Sequence, residues 1–485
     1  MNTYETPDRN ASNGKLNVSA AASQRTAGNG GAPYPGGTPL RIRLIAPPVG
    51  AFGSWAFLAF AFLTLSRFHE AMTVMLGVPA YLFTIALAFV LPAALLSGRW
   101  LIPWQTVPGK LLIGFTLWMI VGFPFYGWKG GAFKEIKDAW MLSLITFMLF
   151  GSMIGTLPDM RRALKVTAFS VIVVLLMFIK FATNIRGRIG IFGSLANAND
   201  LAMHLLIILP MLVLVVQTKK KMFSLTSLAA IGSAAYLLVV VMRTGSRAGL
   251  LGLGFYLVAI FLLSSFANKA KLIVGGAGVL IVLFATAPES AMDRYRTLWD
   301  DEVEEGEAVA SARGRGLLLK ESIRQTLLHP VFGLGPANFQ VAFAKKMESE
   351  GQMHHRFRAS HNTYTQVSSE TGIPGFLMFF SLMVWCFWQN LRLYRQTNRN
   401  PQHKEIANMA ICLFLSLLVF SVTTFFGSNA YRFYLPVLAG LTVSLKRVAD
   451  EVLASGAGQP MPVWAALWPP PTPRPPMTSR PVSLT

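Results

Sequence analysis

The chain has 485 residues, of which 53% are hydrophobic and 13% charged, roughly half the charge of an ordinary soluble domain. A mean hydropathy of +0.48 and apolar runs recurring from Val49 to Val443 make the bilayer the solvent for most of the chain. The formal net charge is +21, but no basic face belongs to a soluble module, so nucleic acid is excluded in favour of cytoplasmic cations and an anionic partner at the membrane.

Residues 1–45, rich in Asn, Ser, Gly, Ala and Thr, read as a disordered cytoplasmic tail. They are not a signal peptide, because the first apolar run starts too late and has no short core before a small-residue cleavage site. Residues 46–288 hold nine expected spans, near 49–66, 71–97, 109–126, 139–157, 164–183, 199–217, 222–242, 248–266 and 271–288. A single long hydrophilic loop, 289–372, follows. Three more spans, near 373–391, 406–426 and 432–446, fall within 373–448, and 449–485 is a proline-rich cytoplasmic tail. The fold class expected is therefore an all-α polytopic membrane protein with about 12 transmembrane helices. Cys386 and Cys412 both lie in apolar runs and read as small packed hydrophobes, not as ligands or disulfide partners.

With the N-terminus inside, the basic segments "DMRRALK", "TKKKM", "NKAK", "RLYRQTNRNPQHK" and "LKRVADE" all become cytoplasmic, and an even span count returns the C-terminus there. One outer loop dissents: "YGWKGGAFKEIKDAW" carries Lys129, Lys134 and Lys137. The same parity makes 289–372 periplasmic. It opens with an amphipathic stretch and the acidic "DDEVEEGE" and continues with Leu319, Ile323 and Leu327 at helical spacing, the Gly/Pro turn "GLGPANF" and a second polar helix. A loop of that length with its own elements is expected to be a functional cap.

Four outer-face segments contain arginines that topology does not explain: "NIRGRIG" (Arg186, Arg188), "MRTGSRAG" (Arg243, Arg247), "SARGRG" (Arg313, Arg315) and "NAYRF" (Arg432). A guanidinium keeps its charge and offers a planar fork to phosphate. The set therefore points to a lipid-linked phosphate or diphosphate, against snorkelling to headgroups for any one of them. His361 closes the long loop, where an imidazole can take a proton from a hydroxyl. Its neighbours Ser360 and Asn362 serve equally well as helix caps, with the histidine incidental. In "SLANANDLAM", Asn197, Asn199 and Asp200 cap the sixth span or bind sugar hydroxyls or phosphate. No Walker loop, HExxH motif, nucleophile elbow or cysteine-ligand pattern occurs, so nucleotide hydrolysis and zinc chemistry have no support.

Several segments together resemble the O-antigen ligase and polymerase family of bacterial envelope glycosyltransferases. They are "TGSRAG", "RGRGLLL" with Arg315-x-x-x-Leu319, "HPVFGLGPANF", and "SHNTYTQVSSETGIPG" with His361-Asn362, Glu370, Gly372 and Gly375. The specific motifs cover roughly 185–380, and Thr365 departs from the apolar residue expected four after the histidine. The resemblance implies a fold related to other lipid-phosphate-sugar glycosyltransferases, in the inner membrane, with the catalytic loop periplasmic. It implies an undecaprenyl-diphosphate-linked glycan as donor, and lipid A-core or a second lipid-linked repeat unit as acceptor. A glycosylated protein also remains open as acceptor. Transfer is expected to invert the anomeric centre, without metal or cofactor. His361 is then the base, and Arg186, Arg188, Arg247 and Arg315 hold the diphosphate. Arg243, Arg313, Arg432, Asn199, Asn362 and Glu370 are candidate further contacts. The alternative from another class is a polysaccharide or lipid-linked-sugar transporter. Against it stand the absence of a two-fold internal repeat and of ionisable runs at mid-membrane depth.

Overall fold

The computed structural model describes residues 49–185, 188–217, 224–264, 266–285, 287–296, 307–351 and 357–454. Tail 1–45, most of tail 449–485, Arg186 and the acidic run 300–306 lie outside the described residues.

Seventeen α-helices and one short hairpin are described. Helices α1 (Ala51–Ser66) and α2 (Phe68–Leu76) meet at a 69° bend on Arg67, which has φ 54°. Helix α3 (Leu82–Leu96) bends by 93° into short 3₁₀ turns, and α4 (Val107–Gly122) follows. Helix α5 (Lys129–Glu135) runs through a π-helical turn, Ile136–Trp140, into α6 (Met141–Ser152). Helix α7 (Leu157–Phe181) starts with a capping box, in which Thr156 and Asp159 satisfy each other's backbone N–H. Strands β1 (Thr183–Ile185) and β2 (Arg188–Gly190) pair antiparallel, with Ile185 opposite Arg188. Then come α8 (Ala198–Gln217), α9 (Leu225–Arg243), α10 (Arg247–Leu263) and α11 (Phe266–Ala285). Helices α12 (Glu289–Arg296), α13 (Glu307–Leu328) and α14 (Phe339–Ser349) occupy the long loop. The chain ends in α15 (Thr363–Thr397), α16 (Lys404–Thr423) and α17 (Tyr434–Ala454).

Helix α8 is the centre of the bundle: 83% of its apolar window is buried, and it packs on α7, α9, α10 and α16. His204 on α8 is buried, with its ring nitrogens on Tyr434 Oη (3.1 Å) and the Leu65 carbonyl (2.8 Å). It is a core histidine satisfied on both sides. Cys386 and Cys412 are also buried and free.

Among the described residues, six helices are long and apolar enough to cross a membrane, or up to eight if each of two bent pairs is one span. The sequence predicted twelve. The shortfall has physical reasons: α6 has only 12 residues after its π turn, α10 has 17, and α17 carries Lys446, Arg447, Asp450 and Glu451. Helix α17 also continues past the expected span end at 446.

The 289–372 segment has a core of its own. Leu318 of α13 packs with Phe339, Phe343 and Met347 of α14. Beside it, buried Glu321 takes Lys346 Nζ at 2.5 Å, Gln325 Nε2 at 2.7 Å and Arg324 at 3.1 Å. Burial alone would push that carboxyl up, but these donors and charges outweigh it and hold Glu321 below the usual carboxylate range. The cap is bolted to α15 by main-chain bonds: Leu334 N–H donates to the Ser369 carbonyl (2.9 Å), Gly335 to Glu370 (2.9 Å) and Ile373 to Pro330 (2.8 Å). Phe332 stacks between Trp118 and Phe125, each ring centroid 4.8 Å away.

Helix α15 starts ten residues before the predicted span at 373 and bends at Gly372. Pro374 falls in the first turn after the break, where a missing N–H costs nothing. Gly372 has φ 73° and ψ −178°, and a Cβ there would stand 2.0 Å from the Val331 carbonyl oxygen. That backbone region is open almost only to glycine, at about 1–3 kcal/mol otherwise. Gly372→Ala should therefore release the cap turn, seen as faster amide hydrogen exchange at Leu334 and Gly335. Unchanged exchange there would mean the bend is not what holds the cap.

Candidate functional site

At the cap end of the bundle lies a cavity of 290 Å³, lined by Arg247, Leu251, Arg315, Gly316, Leu319, Ser360, His361, Asn362, Phe425 and Phe426. Each polar group there is placed by local structure. Arg247 opens α10 behind its cap Ser246, whose Oγ accepts from Gly249 N–H (3.1 Å). Arg315 projects from α13. Asn362 caps α15, its Oδ1 accepting from Tyr364 N–H (2.9 Å) and Thr365 N–H (3.1 Å), contacts that contribute about 1 kcal/mol. Thr365, the departure from the family pattern, thus serves through its backbone.

His361 sits one residue before that cap with φ 52°, in the left-handed region that non-glycine residues seldom enter. Its N–H donates to Ser428 Oγ (3.0 Å), while Thr363 Oγ1 donates to the Gly427 carbonyl (2.8 Å) and accepts from Asn429 N–H (3.0 Å). The turn between α16 and α17 therefore grips the backbone on both sides of the histidine, which lines the cavity.

The surroundings are strongly cationic. Burial pushes the His361 imidazole down to about 4, and the charges of Arg315, Arg188 and Arg358 push the same way. Burial likewise brings Arg315 down to about 10, with Arg247 and Arg294 adding to it. Arg188 is also lowered to about 10, by burial first and then by Arg294, Arg315 and Arg247, with Asp200 opposing. Its Nη2 donates to Asn199 Oδ1 (2.5 Å), which also accepts from Ser246 Oγ (2.8 Å), so the N-terminus of α8 ties the β-hairpin to α10. Asn197 does the capping there, its Oδ1 taking Asn199 N–H (2.9 Å). Arg188 Nε is buried and has no hydrogen-bond partner among the described residues. Guanidinia depressing one another in this way want a multivalent anion between them.

His361, Arg188, Arg247, Arg315, Asn199 and Asn362 are thus brought together, whereas Arg186 lies outside the described residues. Arg243 and Arg313 are exposed and are not on the cavity wall. Arg432 is exposed too, and its charge acts on Glu135 and Asp200 instead of on His361. Glu370 is buried under the cap turn, accepting from Phe339 N–H and Gln366 Nε2 (both 3.4 Å). It packs the "GLGPANF" segment and does not line the cavity.

Two cations that sequence reasoning missed belong to the set. Arg294 on α12 is buried and donates from Nε to the Gly245 carbonyl (3.3 Å). Gly245 has φ 59°, and a Cβ there would come within 3.2 Å of the Arg294 side chain. Arg358 reaches Gly314 of α13, its Nη1 lying 3.3 Å from where a Cβ would stand. No pattern in a single sequence links "AMDRYR" to "TGSRAG".

Residues 232–380 match the family model described as O-antigen ligase. The chain carries the O-antigen ligase domain. No curated protein matches the chain. The O-antigen ligase segment runs from α9 into α15 and contains Arg247, Arg294, Arg315 and His361; Arg188 and Asn199 lie before it. Polytopic membrane character and O-antigen ligase or polymerase-type activity follow together from the helices and this match.

Proposed function

We propose that the chain transfers a glycan from undecaprenyl diphosphate to an acceptor hydroxyl at the periplasmic face, with His361 as general base. The observation that carries this reading is the juxtaposition in one cavity of the half-buried His361 imidazole with Arg247 and Arg315, backed by Arg188 and Arg294. A departing diphosphate develops negative charge as the glycosidic bond lengthens, and preorganised donors are worth most where charge develops. The guanidinia supply that positive charge, so the reading requires no metal ion or cofactor. The acceptor oxygen loses its proton to His361, attacks the anomeric carbon from the face opposite the diphosphate, and inverts it. The lipid diphosphate leaves with the bonding electron pair. Leu251, Leu319, Phe425 and Phe426 give the wall an apolar part, which keeps water from competing with the acceptor.

The test is an assay of the purified full-length chain with lipid-diphosphate-linked repeat units, with and without lipid A-core. Longer lipid-linked glycan without core would identify a polymerase, and glycan on the core would identify a ligase. Donor left intact in both mixtures would overturn the transfer reading.

A further inference from the structure

The outer surface of α15 carries one continuous line of exposed side chains. Ile373, Leu377, Phe380, Val384 and Trp388 follow one another at helical spacing and are 40–55% exposed. The same line continues as Arg392 and Arg395, both exposed. From Ile373 to Arg392 the helix rises by about 28 Å, close to the hydrocarbon thickness of a bilayer, ~30 Å. The order apolar, then tryptophan, then arginine is that of a chain crossing from lipid tails through the interface to the headgroups. This boundary is the one opposite the His361 cavity, which adjoins the other end of the helix.

At that boundary the surface is hollowed. Trp388, Leu391, Arg392, Arg395 and Gln396 line a recess of 290 Å³. The Arg392 guanidinium lies over the Trp388 indole, 5.0 Å from the ring centroid, which holds it in place instead of letting it sweep through solvent. Arg395 is one helical turn further on the same face. Among the described residues no ion pair engages either guanidinium.

We propose that this recess binds the phosphate of an anionic phospholipid, held between Arg392 and Arg395. Its glycerol end meets Gln396, and the first acyl carbons lie on Leu391 and Trp388. The site is independent of the transfer reaction.

Native mass spectrometry of the purified full-length chain, exchanged into phosphatidylglycerol or phosphatidylcholine, tests it. Phosphatidylglycerol should stay bound under activation that strips phosphatidylcholine. Arg392→Gln/Arg395→Gln should lower the retained fraction about ten-fold, as two charge-assisted contacts are lost. Lys134→Gln/Lys137→Gln, which removes the same charge from exposed lysines elsewhere, should retain it as the wild type does. The two single arginine variants provide the same comparison should the double variant fail to insert. Equal retention of the two lipids, equal loss in both double variants, or displacement of the lipid by inorganic phosphate would overturn the proposal.

Discussion

His361→Asn should lower glycan transfer by about 10²–10⁴-fold, the usual worth of a positioned general base, while leaving membrane insertion and protein level unchanged. Asparagine is the better probe than alanine because residue 361 has φ 52°. Asparagine tolerates the left-handed region, whereas alanine there adds a backbone cost of about 1–2 kcal/mol that has nothing to do with proton transfer. The pH dependence carries the same argument further. With its pKa pushed down to about 4 by burial and by Arg315, Arg188 and Arg358, His361 holds its neutral, proton-accepting form at every pH above that value. The acid limb of kcat/KM for the donor, which reports the free protein, should therefore lie near pH 4. A bound diphosphate places negative charge among the same arginines, favours the imidazolium and raises the pKa. The acid limb of kcat should thus appear at higher pH than that of kcat/KM, and donor binding should strengthen an otherwise weak base. Near-wild-type transfer by His361→Asn, or a kcat limb at or below that of kcat/KM, would remove His361 from the role of base.

What the sequence made legible was residue chemistry at element ends. Arginines expected on the trans side of apolar runs need an offsetting partner; that argument raised seven, of which the fold gathers Arg188, Arg247 and Arg315 around one cavity. The cap with helices of its own was also readable from Leu319, Ile323 and Leu327, although Ile323 and Leu327 prove exposed and the small core forms instead around Leu318. What failed to show were features set by distant contacts. Six to eight helices among the described residues meet the test for a span, against the twelve expected, and apolar runs do not reveal the π turn before a 12-residue α6. Glu370, a candidate further contact in the same motif as His361, is carried by the first turns of α15 to a place under the cap turn. Arg294 was hidden because nothing in "DRYR" beside an acidic run marks one arginine for burial, and it is the approach of α12 to Gly245, 49 positions away, that places it.

The arginines themselves give the second large effect. Arg315→Lys should lower kcat/KM for the lipid-diphosphate donor by about 10²–10³-fold, the scale seen when one preorganised donor to a developing anion is removed. Two losses add. The ammonium cannot present a planar fork to two phosphate oxygens. It also starts with a lower pKa than a guanidinium in a site where burial, Arg247 and Arg294 already bring Arg315 down to about 10, so the lysine is driven toward its neutral form. Arg247→Lys, on the same cavity wall, should behave alike, and the double variant should lose less than the sum, because both groups hold one ligand. The controls are built into the same motifs. Arg313 lies two residues before Arg315 and Arg243 four before Arg247, yet both are exposed and off the cavity wall. Arg313→Lys and Arg243→Lys should therefore keep donor kcat/KM within about two-fold of wild type, as exposed cations contribute little. If the exposed pair proves as costly as the cavity pair, the anion is held by the surface field and not by the cavity, and the geometry proposed for the leaving diphosphate fails.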